Sequence, residues 1–421
     1  MKKILVLFPN EWDKLELASP RFRATHRFFF AGFDVFKFPE NARLLTFDAL
    51  KFIDRIVFRY RKIGLDGVFS TDEQFGAMIA ASVAVRLGLP GADPLAILIS
   101  QHKYYSRRMQ QRLAPEATPR FSVFPYAVAS REDIPLAFPF FVKPVKATFS
   151  ILSRRVDDFA QLKDHLTFGP FEKLILERLI RPFNDLAQAY SGFAIDAHHL
   201  VAEEVLDGVQ VCVDGYAHDG RVEILGVVDS IMYPGTIAFQ RFDYPSRLPD
   251  NVIERMKELA VRLARGMGMK HGMFNLELYY QPATDSIKII ELNPRLAYQF
   301  ADLYEKVEGF NTYDILISLS LGEAPVVARK KGAYKHAASF ILRDFAGNAL
   351  KTGPNRAELA RLQIHHDARV MVYAKKGASL AREIKWLGSY RYATMNIGGA
   401  SIHDLFERFH YLRDQIQFEL A

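Results

Sequence analysis

An open α/β domain followed by a mixed α+β remainder is the fold class this sequence predicts, and three observations lead to it. Near the N-terminus, short continuous apolar runs alternate with helix-like stretches, the rhythm of parallel strands joined by crossover helices. Between Gly272 and Arg295, two runs of alternating and β-branched residues flank the polar turn Gln281-Pro282-Ala283-Thr284-Asp285-Ser286, which signals a hairpin. From Arg329 onward the pattern changes to short strands and a closing amphipathic helix.

Taken in order, Ile4 to Phe8 is an apolar run ending at Pro9-Asn10 and suits a buried parallel strand. Ser19 to Phe30 is expected as a helix, with Ser19 as cap and Pro20 at its first position. Gly32 to Pro39 is expected as the second strand, with Arg55 to Phe58 and Gly67 to Ser70 as further strands. Thr71 to Leu87 reads as a helix closed by Gly88-Leu89-Pro90-Gly91, and Ser100 opens another through Leu113. Phe138 to Val145 is an apolar strand interrupted by Lys143 and followed by Pro144; a lysine buried by such neighbours needs an anionic partner. His199 to Gly208 runs as an apolar strand into acids and a turn, and Val209 to Tyr216 alternates as the next strand. Gly220 to Val228 extends the sheet. Pro249-Asp250 starts an amphipathic helix through Met267, and Asn311 to Leu321 is a helix stopped by Gly322. Arg329-Lys330-Lys331-Gly332 reads as a linker, before strands at 338–342 and 369–374 and a helix over 401–418.

The 421 residues exceed one typical core and suggest two to four domains. With 49% apolar and 24% charged residues the composition is that of an ordinary globular chain. A net charge of +7 is compatible with anionic ligands such as nucleotides, but no basic arm or basic–aromatic pattern marks a nucleic-acid binder. Cys212 is the only cysteine, which excludes a disulfide framework and a cysteine-rich zinc site. The run after Met1-Lys2-Lys3 is too short for a signal-peptide core, and no apolar run approaches the roughly 18 residues of a membrane helix. A cytoplasmic protein is expected. No phosphate-binding Gly-x-x-x-x-Gly-Lys loop, dinucleotide fingerprint or nucleophile elbow is present. The adjacent pairs His198-His199 and His365-His366, read as strand residues, point to opposite sides and lack metal-ligand spacing.

The hairpin carries the chemistry. By period two, Asn275, Glu277 and Tyr279 share a face of its first strand. On its second strand Lys288 and Ile290 share one face, Ile289 and Glu291 the other, with Asn293 and Arg295 continuing the face of Glu291. Glu277 and Glu291 can therefore meet across the hairpin, and with the Asn293 amide oxygen they make an all-oxygen site suited to Mg²⁺. Arg295 adds a planar fork for an anionic oxygen. An exposed hairpin with a cross-strand polar pair is the other reading the two strands alone allow.

Glu277 together with Ile289-Ile290-Glu291-Leu292-Asn293-Pro294-Arg295 resembles the metal-binding signature of the ATP-grasp superfamily. That superfamily includes D-alanine–D-alanine ligase, amino-acid ligases, carbamoyl-phosphate synthetase and biotin carboxylase. The resemblance implies an N-terminal α/β domain (1–120), a small ATP-grasp subdomain with a phosphate lid (121–205), a metal-binding subdomain (206–328) and a C-terminal α+β lobe (329–421). It implies ATP as cosubstrate and Mg²⁺, or Mn²⁺, held by Glu277, Glu291 and Asn293. Lys103 and Lys143 would contact the phosphates, with Lys143 and Arg295 as the catalytic pair. Thr148 and Ser150 belong to the lid, which is free of glycine here although the family usually needs close backbone approach to phosphate. Glu203, Val205 and Leu206 match the adenine segment. The family's ribose-binding acid falls on Gln210, whose amide can still bond a hydroxyl.

The implied reaction activates a small carboxylate as an acyl phosphate, joins it to an amine, and releases ADP and phosphate. A carboxylating enzyme of the biotin carboxylase type is the alternative, but its bicarbonate-handling glutamate is matched by Gln299, and a neutral amide cannot take that proton. A nucleotide-binding protein that lost the reaction is the third reading. No nucleic-acid or membrane partner is expected, and a homodimer is the assembly left open.

Overall fold

The computed structural model describes the chain except residues 36, 38, 148–151 and 376, and except the side chains of 378, 379, 382 and 386. Strand β1 (Lys2–Leu7) lies between two parallel partners, β2 (His26–Ala31) and β3 (Gly67–Phe69), in the order β2-β1-β3. Around this sheet run α1 (Glu11–Leu17), α2 (Pro20–Arg23), α3 (Ala49–Ile63) and α4 (Gly76–Leu87), followed by α5 (Pro94–Gln101) and α6 (Lys103–Leu113).

Four sequence-based expectations fail in this region. Residues 26–31 form a strand, not the second half of a helix begun at Ser19; the helix capped there ends at Arg23. Phe28 and Phe29 pack into different cores, as neighbours on a strand must, because successive side chains leave opposite faces. The described residues of 32–39 accordingly form no strand. The run Arg55 to Phe58 lies inside α3, whose buried residues Ala49, Ile53, Ile56, Val57 and Tyr60 follow the helical repeat. Asp48 caps α3 by accepting from the Lys51 amide at 2.9 Å. The short β-branched pair Ile56-Val57 therefore belongs to a buried helix face. The helix expected from Ser100 is divided at His102 into α5 and α6.

The second layer is an antiparallel sheet in the order β4-β7-β5-β6, made of β4 (Phe121–Pro125), β5 (Phe140–Pro144), β6 (Arg154–Val156) and β7 (His199–Glu204). Helices α7 (Phe159–His165) and α8 (Pro170–Tyr190) connect β6 to β7. In α8 the buried face made by Ile180, Phe183, Leu186 and Ala187 joins the core of the N-terminal region. This contact fixes the second layer against the first.

The third layer begins with β8 (Val209–His218), β9 (Arg221–Met232) and β10 (Phe239–Tyr244), then α9 (Asp250–Gly266) and the hairpin β11 (Gly272–Gln281) and β12 (Ser286–Asn293). Helices α10 (Ala301–Glu308) and α11 (Thr312–Ser320) follow, the latter capped by Asn311. The chain closes with β13 (His336–Asp344), β14 (Leu350–Thr352), α12 (Arg356–His366), β15 (Arg369–Val372), α13 (Gly377–Leu387), β16 (Tyr390–Gly399), α14 (Ile402–Gln415) and β17 (Glu419–Leu420). His365 and His366 thus sit on a helix, not a strand. Eight strands form one sheet in the order β12-β11-β8-β9-β10-β13-β16-β15. After Arg329, β13, β15 and β16 therefore continue the sheet that carries the hairpin, while β14 and β17 pair with each other in a separate two-stranded sheet. Arg329 itself donates to the carbonyls of Ile224 and Leu225, both at 2.6 Å.

The amphipathic face of α9 (Val252, Met256, Leu259, Leu263) packs with Val211, Leu276, Leu278 and Ile289 from β8, β11 and β12. This buried face holds the hairpin rigid while its other face stays open to the interior of the molecule. Among the described residues no helix is long and apolar enough to cross a membrane.

Candidate active site

Glu277 and Glu291 are direct register partners across β11 and β12. One step further along, Leu278 faces Ile289, so Ile290 is an extra residue bulged out of β12. This corrects the simple alternation. Ile289 lies in the core under α9, whereas Glu291 lines a cavity, so the two residues do not share a face. A β-bulge re-aims the side chain beside it, and here it turns Glu291 towards Glu277. The bulge also frees the Ile290 carbonyl, which accepts from Arg107 Nη2 at 2.7 Å and Lys143 Nζ at 3.5 Å.

The two carboxylates are surrounded unequally. Glu277 accepts from the side-chain amides of Gln210 and Asn293, each at 3.1 Å. Burial, then the neighbouring Glu291 and Glu73, push its carboxyl well above the usual carboxylate range. Glu291 faces Lys103 Nζ at 3.2 Å. Burial raises it too, but Lys103 and Lys143 outweigh burial and hold it below the usual carboxylate range. Two like charges directly opposite on a ladder are unfavourable, and burial amplifies the repulsion. A hard cation between them relieves both effects, so these side chains fit a divalent metal with oxygen ligands.

Strand β5 supplies Lys143, buried because Phe140 and Val142 anchor the strand in an apolar cluster. Its Nζ lies 2.8 Å from Glu203 Oε2, the partner a buried ammonium requires. Glu203 on β7 also receives a fork from Arg107, Nε to Oε1 at 2.7 Å and Nη2 to Oε2 at 2.8 Å. Lys103 starts α6, and its Nζ also donates to the Ala147 carbonyl at 3.0 Å. Arg295 lines the same cavity as Glu277 and Glu291. Its Nη2 and Nε donate to Glu73 Oε2 at 2.6 and 3.1 Å. Lys146 Nζ donates to the Glu73 carbonyl at 2.7 Å, and burial pulls its ammonium down to about 7.

Contacts thus join Lys103, Lys143, Glu203, Gln210, Glu277, Glu291 and Asn293 into one cluster, with Arg295 on the adjoining wall. Val205 and Leu206 lie in the turn between β7 and β8, Val205 being exposed. The lid positions Thr148 and Ser150 fall outside the described residues. Glu203 is committed to Arg107 and Lys143, and Gln210 to Glu277.

Sequence reasoning missed Arg107, Glu73 and Lys146. Arg107 was findable: it follows Lys103 by four residues and precedes Gln110 by three, so all three lie on one face of α6. Glu73 carries no such local signal, because its partner Arg295 is 222 residues away.

The shared cavity measures about 1230 Å³. Its walls come from the N-terminal layer (Trp12, Glu73), the hairpin (Glu277, Glu291) and the C-terminal strands (Arg343, Arg391). Among the described residues one further group of candidate metal ligands comes together, His218, Asp219 and His271, and none of them lines this cavity.

Residues 136–303 match the ATP-grasp domain family. Carnosine synthase 1 of Gallus gallus is 26% identical over 298 residues, covering 66% of this chain. The chain spans only 30% of that relative's length. Among solved structures, an L-amino acid ligase from Bacillus licheniformis matches with a TM-score of 0.72, covering 100% of this chain and 99% of that one at 16% identity. An N5-carboxyaminoimidazole synthase from Aspergillus clavatus, in complex with ADP and a ribonucleotide, matches at 0.66 over 98% of both chains with 13% identity.

Proposed function

We propose that the chain, whose residues 136–303 match the ATP-grasp domain family, is an ADP-forming ligase joining a small carboxylic acid to an amine. The observation that carries this reading is the facing pair Glu277 and Glu291, opening with Arg295 onto one large cavity. Glu277 and Glu291, with Asn293 after rotation of its amide, would hold Mg²⁺, or Mn²⁺ in its stead. Bound there, the metal would neutralise charge on the nucleotide's terminal phosphates.

The remaining steps belong to the chain's own residues. Lys103 and Lys143 start out paired with Glu291 and Glu203, and each exchanges part of that pairing for a phosphate oxygen when ATP binds. The Arg107 fork keeps Glu203 compensated while Lys143 turns away. The substrate carboxylate attacks the terminal phosphorus of ATP, giving an acyl phosphate and ADP. The amine nitrogen then adds to the acyl carbon, and the tetrahedral adduct expels phosphate to leave the amide. Arg295 holds the negative oxygens of the acyl phosphate and of the adduct. The same fixed guanidinium orients the acid beside the nucleotide. An adenylating enzyme would need this help at the α-phosphate instead.

A screen of carboxylic acids with hydroxylamine as the amine tests this proposal, with hydroxamate and ADP read together. The ligase reading requires ADP in step with hydroxamate for at least one acid. A protein that only binds nucleotide would be stabilised against heat by ATP·Mg²⁺ yet release no ADP with any acid. A cytoplasmic location and small-molecule substrates go with this reading.

A further inference from the structure

Further along the sheet that carries the hairpin, the cavity is lined from β13, β16 and α13, and the charges there do not balance. Arg343 on β13 and Arg391 on β16 are direct register partners, an arrangement of like charges that a ladder disfavours. Both are half-buried and both line the cavity. Arg343 is held by neutral groups, donating to the Phe239 carbonyl at 3.2 Å and the Ser389 hydroxyl at 2.9 Å. The Arg391 guanidinium stacks 4.3 Å over the Tyr373 ring. Tyr373 in turn accepts from Trp12 Nε1 at 2.9 Å, so the N-terminal layer fixes the surface on which Arg391 lies.

The carboxylate of this wall, Glu383, is paired with Lys375, which donates to it, and also accepts the backbone amide of Arg391, at 3.4 Å. Among the described residues neither guanidinium belongs to an ion pair. Three cations therefore share one carboxylate, and two planar forks face the cavity with donors to spare. Partly buried charge without a counter-ion is unfavourable, and a guanidinium pair is the geometry that recognises carboxylate or phosphate oxygens.

We propose that Arg343 and Arg391 form a subsite for a second, non-reacting anionic group of a substrate, in the cavity that Glu277 and Glu291 also line. One of the two substrates then carries a carboxylate, or a group of like charge and shape, that is not the one activated. Tyr373 and Trp12 set the orientation of the fork and so restrict how far that anion stands from the reacting carbonyl. This inference rests on the ligase reading for the word substrate, but the anion site can be tested without turnover.

Succinate is titrated calorimetrically into the full chain at low salt. Wild type is expected to bind it, and the Arg343→Gln/Arg391→Gln variant at least tenfold more weakly. Arg391→Lys should fall between, because an ammonium keeps the charge and loses the fork. Arg255→Gln, which removes a surface arginine, should match wild type. Melting curves check folding, and each single variant stands in if the double variant fails to fold. Absent succinate binding in wild type, or equal binding in the variants, overturns the subsite.

The second arm uses any acid–amine pair that supports ADP release. The KM of the substrate bearing the extra anion should rise at least tenfold in the double variant, with the KM for ATP unchanged. If the effect persists when hydroxylamine replaces the amine, the anion is on the acid; if it vanishes, it is on the amine. A variant that moves neither substrate's KM contradicts the proposal. Should no pair release ADP, the ligase reading fails, and the succinate titration still decides whether the anion subsite exists.

Discussion

The two walls of the cavity differ in how they hold charge. On the hairpin side Arg295 is paired with Glu73, and behind the lining residues Lys103 is paired with Glu291 and Lys143 and Arg107 with Glu203. On the β13–β16 side neither Arg343 nor Arg391 belongs to an ion pair among the described residues, and both share the influence of Glu383 with Lys375. A paired wall can release its cations to an incoming phosphate and take them back, so it is stable empty and adaptable when filled. An unpaired wall gains most when its ligand arrives, which suits selection of a substrate. Within one cavity, internal pairing marks where the nucleotide is handled, and charge excess marks where the partner molecule is recognised.

The largest expected effect comes from breaking the pairing at its most buried point. Arg107→Met leaves Glu203 with Lys143 alone, and should lower the unfolding free energy by about 3 kcal/mol or more. Adding Glu203→Leu and Lys143→Met together should recover much of that loss, since matched apolar side chains then replace the whole buried triad of Arg107, Glu203 and Lys143. Urea titration of the single and triple variants checks both statements. If Arg107→Met is neutral, the hairpin wall is not held by its ion pairs.

Glu291→Gln comes next. It keeps the shape and removes the charge that faces both Lys103 and Glu277, so turnover should fall by at least about 100-fold, the loss already typical for disturbing a metal ligand's supporting contacts. Circular dichroism should show the fold retained, and steady-state ADP release gives the rate. Lys143→Met is smaller. Glu203 keeps both Arg107 bonds, so stability should change by less than about 1.5 kcal/mol, while affinity for ATP·Mg²⁺ drops about tenfold, the loss of one charge-assisted contact. Calorimetry separates these two readouts, and unchanged ATP affinity would make Lys143 a purely structural partner of Glu203.

The gentlest test is a pH profile. The Lys146 ammonium is pulled down to about 7 from an ordinary 10.5. Below about 7 both folded and unfolded states carry the proton, and the burial penalty is present in full. Between about 7 and 10.5 the unfolded chain binds a proton that the folded chain does not, so this group makes stability rise with pH, by at most about 1.4 kcal/mol per pH unit. Lys146→Met should lack that rise. Denaturation of both proteins at pH 6.5, 8 and 9.5 gives the difference, and parallel curves would mean that Lys146 is not desolvated.

Much of the hairpin wall was readable from the sequence because its signals are local. Glu277 and Glu291 sit on a hairpin whose turn and alternation are contiguous, and Lys143 interrupts an apolar strand. The bulge at Ile290 was not readable, since nothing in Ile289-Ile290-Glu291 says which isoleucine leaves the ladder. The ion pairs of Arg107 with Glu203 and Arg295 with Glu73 span 96 and 222 residues, beyond any periodicity. The N-terminal misreadings have a different cause. Phe28-Phe29-Phe30 and Ile56-Val57 are short apolar runs that suit strand or helix equally, and the tertiary contacts of β1 and α4 decided between them. The Arg343–Arg391 wall was invisible for a third reason: two strands 48 residues apart pair so that two ordinary surface-like arginines meet.

The central claim is that the hairpin wall passes a phosphoryl group to a carboxylate. The most direct test uses the acid identified by the hydroxylamine screen, labelled with heavy oxygen in its carboxyl group, and follows the label by phosphorus NMR. An acyl phosphate intermediate requires one labelled oxygen to appear in inorganic phosphate, with ADP as the other product. Label appearing in AMP, with pyrophosphate released, would contradict the account.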